Sequence, residues 1–329
     1  MPVAFARSFV VAATSTAAVM GLCAAAAHAQ TDYPSKPIRI VVPYPTGGFN
    51  DTLGRIVAAK LSTAWKQTVI VENKPGGGTV IGTQAVAQSP ADGYTVLVVQ
   101  FPFAANPWLY KSLPYDSAKA FAPVVLAGRS PMLFVVPSSS PLRSMQDLLA
   151  QAKARPGALN YGSSGAGSSN HLAMALFESV SGTRMTQVPY KGSTPLLTDL
   201  AGGQVDLAID LLPHALPFIQ SGRLRPLAIA GTQRSTLMPD LPTTREAGIP
   251  SYEVTSWHGL VVPAGTPPAI VDKLNRELNT IFAMDDVKKT FAQQGVVPDG
   301  GTPAHFQQFI DGQMALWKKV VHDAAITAE

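Results

Sequence analysis

The chain is poor in cysteine and in charge. Of its 329 residues one is cysteine, Cys23, and only 14% are charged. Cys23 lies in a segment that reads as an export leader. Arg7 is the only charge before a run over 9–27 that is apolar except for Thr14, Ser15 and Thr16. Ala27-His28-Ala29 then supplies the small-x-small pattern of a signal-peptidase site, so cleavage is expected after Ala29. The run is short and Ala-rich for a retained membrane anchor, and Leu22 before Cys23 argues against a lipid anchor. Cleavage would leave no cysteine, which excludes disulfides, thiolate metal sites and a Cys nucleophile. A disulfide-free exported chain of this size suits a Gram-negative periplasm. No apolar stretch after Ala29 is long enough to span a bilayer. The net charge is only +4, and no Lys/Arg cluster points to nucleic acid.

Signatures of catalysis and metal binding are also missing. Gly162-Ser163-Ser164-Gly165-Ala166 is not Gly-x-Ser-x-Gly, because Ala166 fills the last position. No phosphate-binding Gly-x-x-x-x-Gly-Lys-Ser/Thr occurs. Gly76-Gly77-Gly78 followed by Gly82 has the wrong step for a dinucleotide fingerprint. His171, His214, His258, His305 and His322 show no metal-ligand spacing. Neither a metal centre nor a cofactor is expected, and the chain is not expected to be an enzyme.

What the sequence does contain is two Gly-rich turns, each leaving a predicted strand and opening a predicted helix. The first is Pro43-Tyr44-Pro45-Thr46-Gly47-Gly48-Phe49-Asn50-Asp51 and the second Gly162-Ser163-Ser164-Gly165-Ala166-Gly167-Ser168-Ser169-Asn170. Glycine lets backbone approach a ligand closely, and the first turn of a helix offers free N–H groups and partial positive charge to an anion. Two such cups, over a hundred residues apart, suggest a clamp holding a small acid between two lobes.

Predicted strands and helices alternate along the whole chain. Strands are expected at 38–42, 69–71, 96–99, 124–127, 133–136, 205–209 and 224–230. Helical spacing is expected from Leu53 to Leu61, from Met145 to Ala152, over 171–180 and 196–200, from Ile270 to Ile281 and from Phe306 to Val321. This order implies an α/β fold with a mixed or parallel sheet covered by helices. Ligands in such sheets bind beyond the carboxyl ends of the strands, where both turns would lie. The lobes would be joined by strands crossing near 128–131 and 250–257.

In the first turn Asn50 or Asp51 could cap the helix, and Asp51 is spaced to pair with Arg55. In the second, Ser163, Ser164, Ser168 and Ser169 could donate to a carboxylate. His171 reads as a packing or capping residue, and Lys191 as solvated surface or an anion neutraliser. Asp210, at a strand end, could accept from a ligand amine or hydroxyl, or cap the next segment.

Taken in order, these segments resemble the tripartite tricarboxylate transporter receptors, the Bug family of periplasmic solute-binding proteins. The resemblance rests on Pro-x-x-x-Gly-Gly-x-x-Asp-x-x-x-Arg over 43–55 and on Glu72-Asn73-Lys74-Pro75-Gly76-Gly77-Gly78. It continues with Asn106-Pro107-Trp108-Leu109-Tyr110, Leu113-Pro114-Tyr115-Asp116, the 161–172 segment, Val188-Pro189-Tyr190-Lys191-Gly192, Gly202-Gly203-Gln204-Val205-Asp206 and Trp257-His258-Gly259. It implies a two-lobed, Venus-flytrap fold of the type II-like periplasmic-binding-protein kind, each lobe a mixed sheet flanked by helices. Lobe I would be 30–130 with 253–329, and lobe II 131–252. It implies capture of a small carboxylate, delivery to integral-membrane permease subunits, a monomer, and no catalysis.

The ligand-facing set so implied is Tyr44, Thr46, Gly47, Gly48, Phe49, Asn50, Asp51, Gln100, Phe101, Ser163, Ser164, Gly165, Ala166, Gly167, Ser168 and Asp210. The 100–105 segment is bulkier and more apolar than is usual in the family. One expectation is therefore that Phe49, Phe101 or Phe103 lines the pocket and favours an aromatic acid; the other is that these rings pack in the core. A ligand-sensing co-receptor, or an exported serine hydrolase, are the rival functions.

Overall fold

The structure, a computed structural model, describes residues 33–327. The expected leader and its cleavage site lie outside the described residues. The chain opens with strand β1 (Ile38–Val42), helix α1 (Phe49–Trp65) and strand β2 (Val69–Asn73). A 3-10 turn over 77–79 leads to α2 (Val80–Ala87), β3 (Thr95–Gln100) and α3 (Phe101–Leu109). Then come β4 (Phe121–Pro137), α4 (Met145–Ala154), β5 (Asn160–Ser163), α5 (Ser169–Ser181) and β6 (Thr186–Pro189). They are followed by α6 (Ser193–Ala201), β7 (Leu207–Leu211), α7 (Leu212–Gln220) and β8 (Leu224–Ile229). The remainder is β9 (Thr255–Pro263), α8 (Pro268–Ala283), α9 (Asp285–Gln293), β10 (Val297–Gly300) and α10 (Pro303–Asp323). No helix among the described residues is long and apolar enough to cross a membrane.

The strands run in the order β2-β1-β3-β9-β4-β7-β5-β6, with β8 and β10 also on β4. β4 joins two halves. Its residues from Phe121 to Pro131 pair with β9, whereas Met132 onward pairs with β7 and β8. The sheet changes partners between Pro131 and Met132, and Pro131 sits opposite Thr255, the first residue of β9. The two places where the chain passes between the halves of the sheet thus lie side by side. Two separate strands were expected at 124–127 and 133–136; they are one strand of 17 residues running straight through Gly128-Arg129-Ser130-Pro131.

Sequence periodicity explains the packing. Leu53, Val57 and Leu61 recur along one face of α1 and are buried against β1. A Cβ on Gly54 of that helix would come within 2.8 Å of Val42, so glycine allows the close approach. Leu133, Val135, Leu196, Leu200 and Leu212 form a separate core beneath α6 and α7. A third and larger core runs from Phe101 and Trp317 to Met132, Phe134 and Leu172. It spans both halves, because α10 packs on α3 and α5 alike.

Gln100 to Ala105, noted in the sequence as an unusually apolar loop, is the end of β3 and most of α3. Phe101 is buried edge-on to Trp317, with ring centres 4.8 Å apart. Phe103 packs on Phe121 at 5.3 Å. Both rings are core residues, so the aromatic-pocket expectation does not hold for Phe101 or Phe103.

Candidate functional site

Each Gly-rich turn sits where the sequence analysis placed it, between a strand end and a helix start. Residues 43–48 link β1 to α1. Gly47 has φ +97, a conformation that only glycine adopts freely. Its N–H donates to Asp51 Oδ2 at 3.1 Å. Gly48 is the N-cap, and no side chain among the described residues caps this helix. That corrects the expectation that Asn50 or Asp51 serves as the cap. The first-turn N–H groups of α1 lack intrahelical partners and lie next to an exposed loop, 45–48.

Asp51 is a strut beneath the loop. Its Oδ2 also accepts from Arg55 Nε at 3.0 Å, and its Oδ1 from Asn73 Nδ2 at 2.9 Å. Burial alone would raise its pKa, but the hydrogen bonds from Arg55, Asn73 and the Gly47 N–H outweigh burial and hold it below the usual range. Asn73 Nδ2 also donates to the Tyr44 carbonyl at 3.2 Å. Burial pushes the Tyr44 phenol up, so it stays neutral. Thr46 is exposed and Phe49 half-buried. The Phe49 ring lies edge-on to His258 at 4.4 Å and to Phe291 at 5.0 Å.

Asn50 turns inward to a polar ring whose side chains link in a row from Ser256 to Ser130 and whose two ends meet only through the paired backbone of β9 and β4. Its Nδ2 donates to Gln100 Oε1 at 3.2 Å, and Gln100 Nε2 donates to Ser256 Oγ at 3.0 Å. Asn50 Oδ1 lies 2.8 Å from His258 Nδ1, and His258 Nε2 lies 3.2 Å from Ser130 Oγ. With the amides oriented so, Nδ1 carries the imidazole proton and Nε2 accepts from the Ser130 hydroxyl. Burial pushes the His258 pKa down to about 3, so the ring is neutral. The sequence marked His258 as part of a motif and assigned it no role, and Ser130 and Ser256 carried no signal. The His258–Asn50 contact spans 208 positions, which no local spacing reveals.

The second turn runs from β5 to α5. Gly165 and Gly167 have φ +119 and +71. Ser168 caps α5: its Oγ accepts from the His171 N–H at 3.3 Å and donates to the Gly165 carbonyl at 2.7 Å. The Gly167 N–H donates to His171 Nδ1 at 3.1 Å, so His171 holds the loop, and burial lowers its pKa. Ser163 is buried, and its Oγ accepts from Gln187 Nε2 at 2.7 Å. Ser164 donates to Asn170 Oδ1, and Asn170 Nδ2 donates to the Ile209 carbonyl at 2.6 Å. The hydroxyls of Ser163, Ser164 and Ser168 therefore brace the loop. Ala166 is exposed at its tip. By position, the N–H groups of Ser169 and Asn170 lack intrahelical partners and lie at the positive end of the α5 dipole.

Asp210, on the neighbouring strand β7, is buried. Its Oδ1 accepts from the Leu211 N–H at 2.7 Å, Ser193 Oγ at 3.1 Å and His214 Nδ1 at 3.1 Å. Its Oδ2 has no partner among the described residues. The hydrogen bond to Asp210 raises the His214 pKa against the opposing effect of burial. Ser193 and His214 meet the same carboxylate oxygen, so His214 does not activate the serine. In the second turn, His171 Nδ1 is occupied by a backbone N–H. Neither arrangement is a nucleophile–base pair.

Each turn is tied toward the crossover through intervening residues. Asn50 reaches Ser130 by way of His258, and Asn170 donates to Ile209 of β7, whose Leu211 pairs with Met132. Side chains alternate along β4, which sets Ser130 against its neighbours. Arg129 and Pro131 instead line a cavity of about 380 Å³ that also includes Thr255 and the 229–235 loop, and no residue of either turn reaches it.

The family model described as "Tripartite tricarboxylate transporter family receptor" matches residues 53–326. Protein BugT of Bordetella pertussis is 39% identical over 293 residues, 88% of this chain and 90% of BugT. Among solved structures, R. palustris Rpa4515 with adipate superposes with TM-score 0.78 at 39% identity, covering 90% of this chain and 99% of that one. MatC (Rpa3494) from Rhodopseudomonas palustris with bound malate gives TM-score 0.74 at 30% identity, covering 88% and 100%.

Proposed function

The chain belongs to the tripartite tricarboxylate transporter receptor family, whose members are periplasmic solute-binding receptors and not enzymes, and from that premise we propose that it captures a small organic carboxylate between its lobes and hands it to the membrane permease subunits of such a transporter. The observation that carries this is the pair of Gly-rich turns, each at the carboxyl end of a strand and each opening a helix. Backbone N–H groups at the starts of α1 and α5 would grip the carboxylate, a use that suits helix N-termini. The lobes we assign are 30–130 with 253–329, and 131–252. Residues 1–29 act as the export signal, and the receptor works as a monomer.

Two solved relatives hold adipate and malate, which makes dicarboxylates the first compounds to test. A thermal-shift screen of carboxylates on the purified protein is the experiment. At 100-fold over its Kd a ligand adds about 2.7 kcal/mol to stability. The reading predicts a rise in Tm with at least one small carboxylate, diminished at the same ligand concentration by Gly48→Val. A full panel of mono-, di- and tricarboxylates without any shift would reject it.

A further inference from the structure

The polar ring beneath the first turn has a placement that loop bracing does not require. Ser130 and Ser256 are direct partners on β4 and β9, one step before the crossing pair Pro131 and Thr255. His258 is flanked by Gln100 on β3 and Gly128 on β4. Four of the five ring residues thus lie on one face of three adjacent strands, and Asn50 alone comes from outside the sheet. Asn50 is the second residue of α1, the helix whose first turn is offered to ligand. Asn50, Ser130, Ser256 and His258 are all buried, where polar contacts are not readily exchanged for water.

We propose that this ring couples the first turn to the crossover, with His258 and Ser130 as positioning residues that set how far the lobes open. The inference rests on the receptor reading above for its ligand-dependent half only. An anion pulled against the first turn of α1 shifts Asn50. Asn50 shifts His258 and Gln100, and these bear on Ser130 and Ser256, where the chain passes between lobes. Loops that brace only themselves, such as that held by Asp51, have no such reach. Hinges of this kind absorb their rotation in a few residues at element ends.

The test places one spin label in each lobe, at Lys153→Cys and Lys289→Cys, both exposed, in a Cys23→Ser background. Pulsed electron resonance then reads the interlobe distance distribution. Ser130→Ala removes one end of the His258–Ser130 contact. His258→Asn keeps a donor near the Nδ1 position and loses the reach to Ser130. Without ligand, each should broaden the distribution, the double variant should broaden it no further, and Ser130→Thr, which keeps the hydroxyl, should restore it. Distributions unchanged from wild type, or effects that simply add, overturn the proposal. Should His258→Asn not fold, Ser130→Ala and Ser130→Thr decide alone.

Adipate and malate serve as probes in a second arm. Where either binds the wild type, Ser130→Ala should bind it within a few-fold but show less than half the closing shift, and an undiminished shift would overturn the coupling. If neither binds, the carboxylate panel above decides the receptor reading, while the ligand-free arm still decides whether the ring sets lobe opening.

Discussion

Gly47 and Gly48 are neighbours with different reasons for being glycine. Gly47 sits at φ +97, so Gly47→Ala should lower stability by about 1–2 kcal/mol whatever the space around it. Gly48 has ordinary extended backbone, and a Cβ there meets nothing within 4 Å. Gly48→Val should therefore keep stability within about 0.5 kcal/mol yet weaken ligand binding tenfold or more, about 1.4 kcal/mol. Denaturant melts and ligand titrations of the two variants separate these outcomes. His258 carries a pH signature. Its folded pKa, about 3, lies below its ordinary value of 6.5, so between those limits the unfolded chain takes up a proton that the folded chain refuses. Stability from this group is complete above pH 6.5 and falls with acidification by at most about 1.4 kcal/mol per pH unit. His258→Gln should flatten the decline in unfolding free energy between pH 6 and 4, and an unchanged slope would contradict the burial argument. At this scale the sequence is legible only locally. Asp51 and Arg55, four apart, pair as their spacing predicts, whereas the partners of His258 come from α1 and β4.

Elements were legible where their chemistry is periodic and hidden where proline interrupts it. The faces of α1, α8 and α10 and the β-branched run of β1 stand out because burial imposes one repeat on each. Strand β4 reads as two pieces because Pro131 looks like a stop. It is tolerated because a strand can lose one donor at a place where its ladder already changes partners. Helix α3 escapes notice for a similar reason, since Pro102 and Pro107 suggest a loop. Pro102 lies in the first turn, where its missing N–H has no helical partner anyway. The start of α5 was legible as a hydroxyl-rich turn, but Ser168, expected to donate to a ligand carboxylate, is the helix cap instead. Ser168 supplies both the cap to His171 and the tie to the Gly165 carbonyl. Ser168→Ala should cost about 1 kcal/mol and loosen the second turn, lowering ligand affinity more than an Ala change at exposed Ser139 does. Equal affinity in the two variants would remove the second turn from the site.

For the whole molecule, the two halves of the sheet meet at two adjacent crossings, yet α10 packs on α3 in one half and α5 in the other. On the proposed receptor function, closure by rotation about the crossings has to be absorbed where α10 meets α5, and a ligand's binding energy must exceed that resistance. Small-angle scattering should show the radius of gyration fall when a stabilising carboxylate is added, and no change at saturation would mean that binding proceeds without closure. The pairing of Pro131 with Thr255 has a consequence for ancestry and engineering as well. A stretch of more than a hundred residues departs and returns through neighbouring positions, so it forms a cassette whose ends already meet. Splicing 132–254 from a homologue should require no new linker, and such chimeras would let each half of a recognition surface be inherited, exchanged or selected apart from the other.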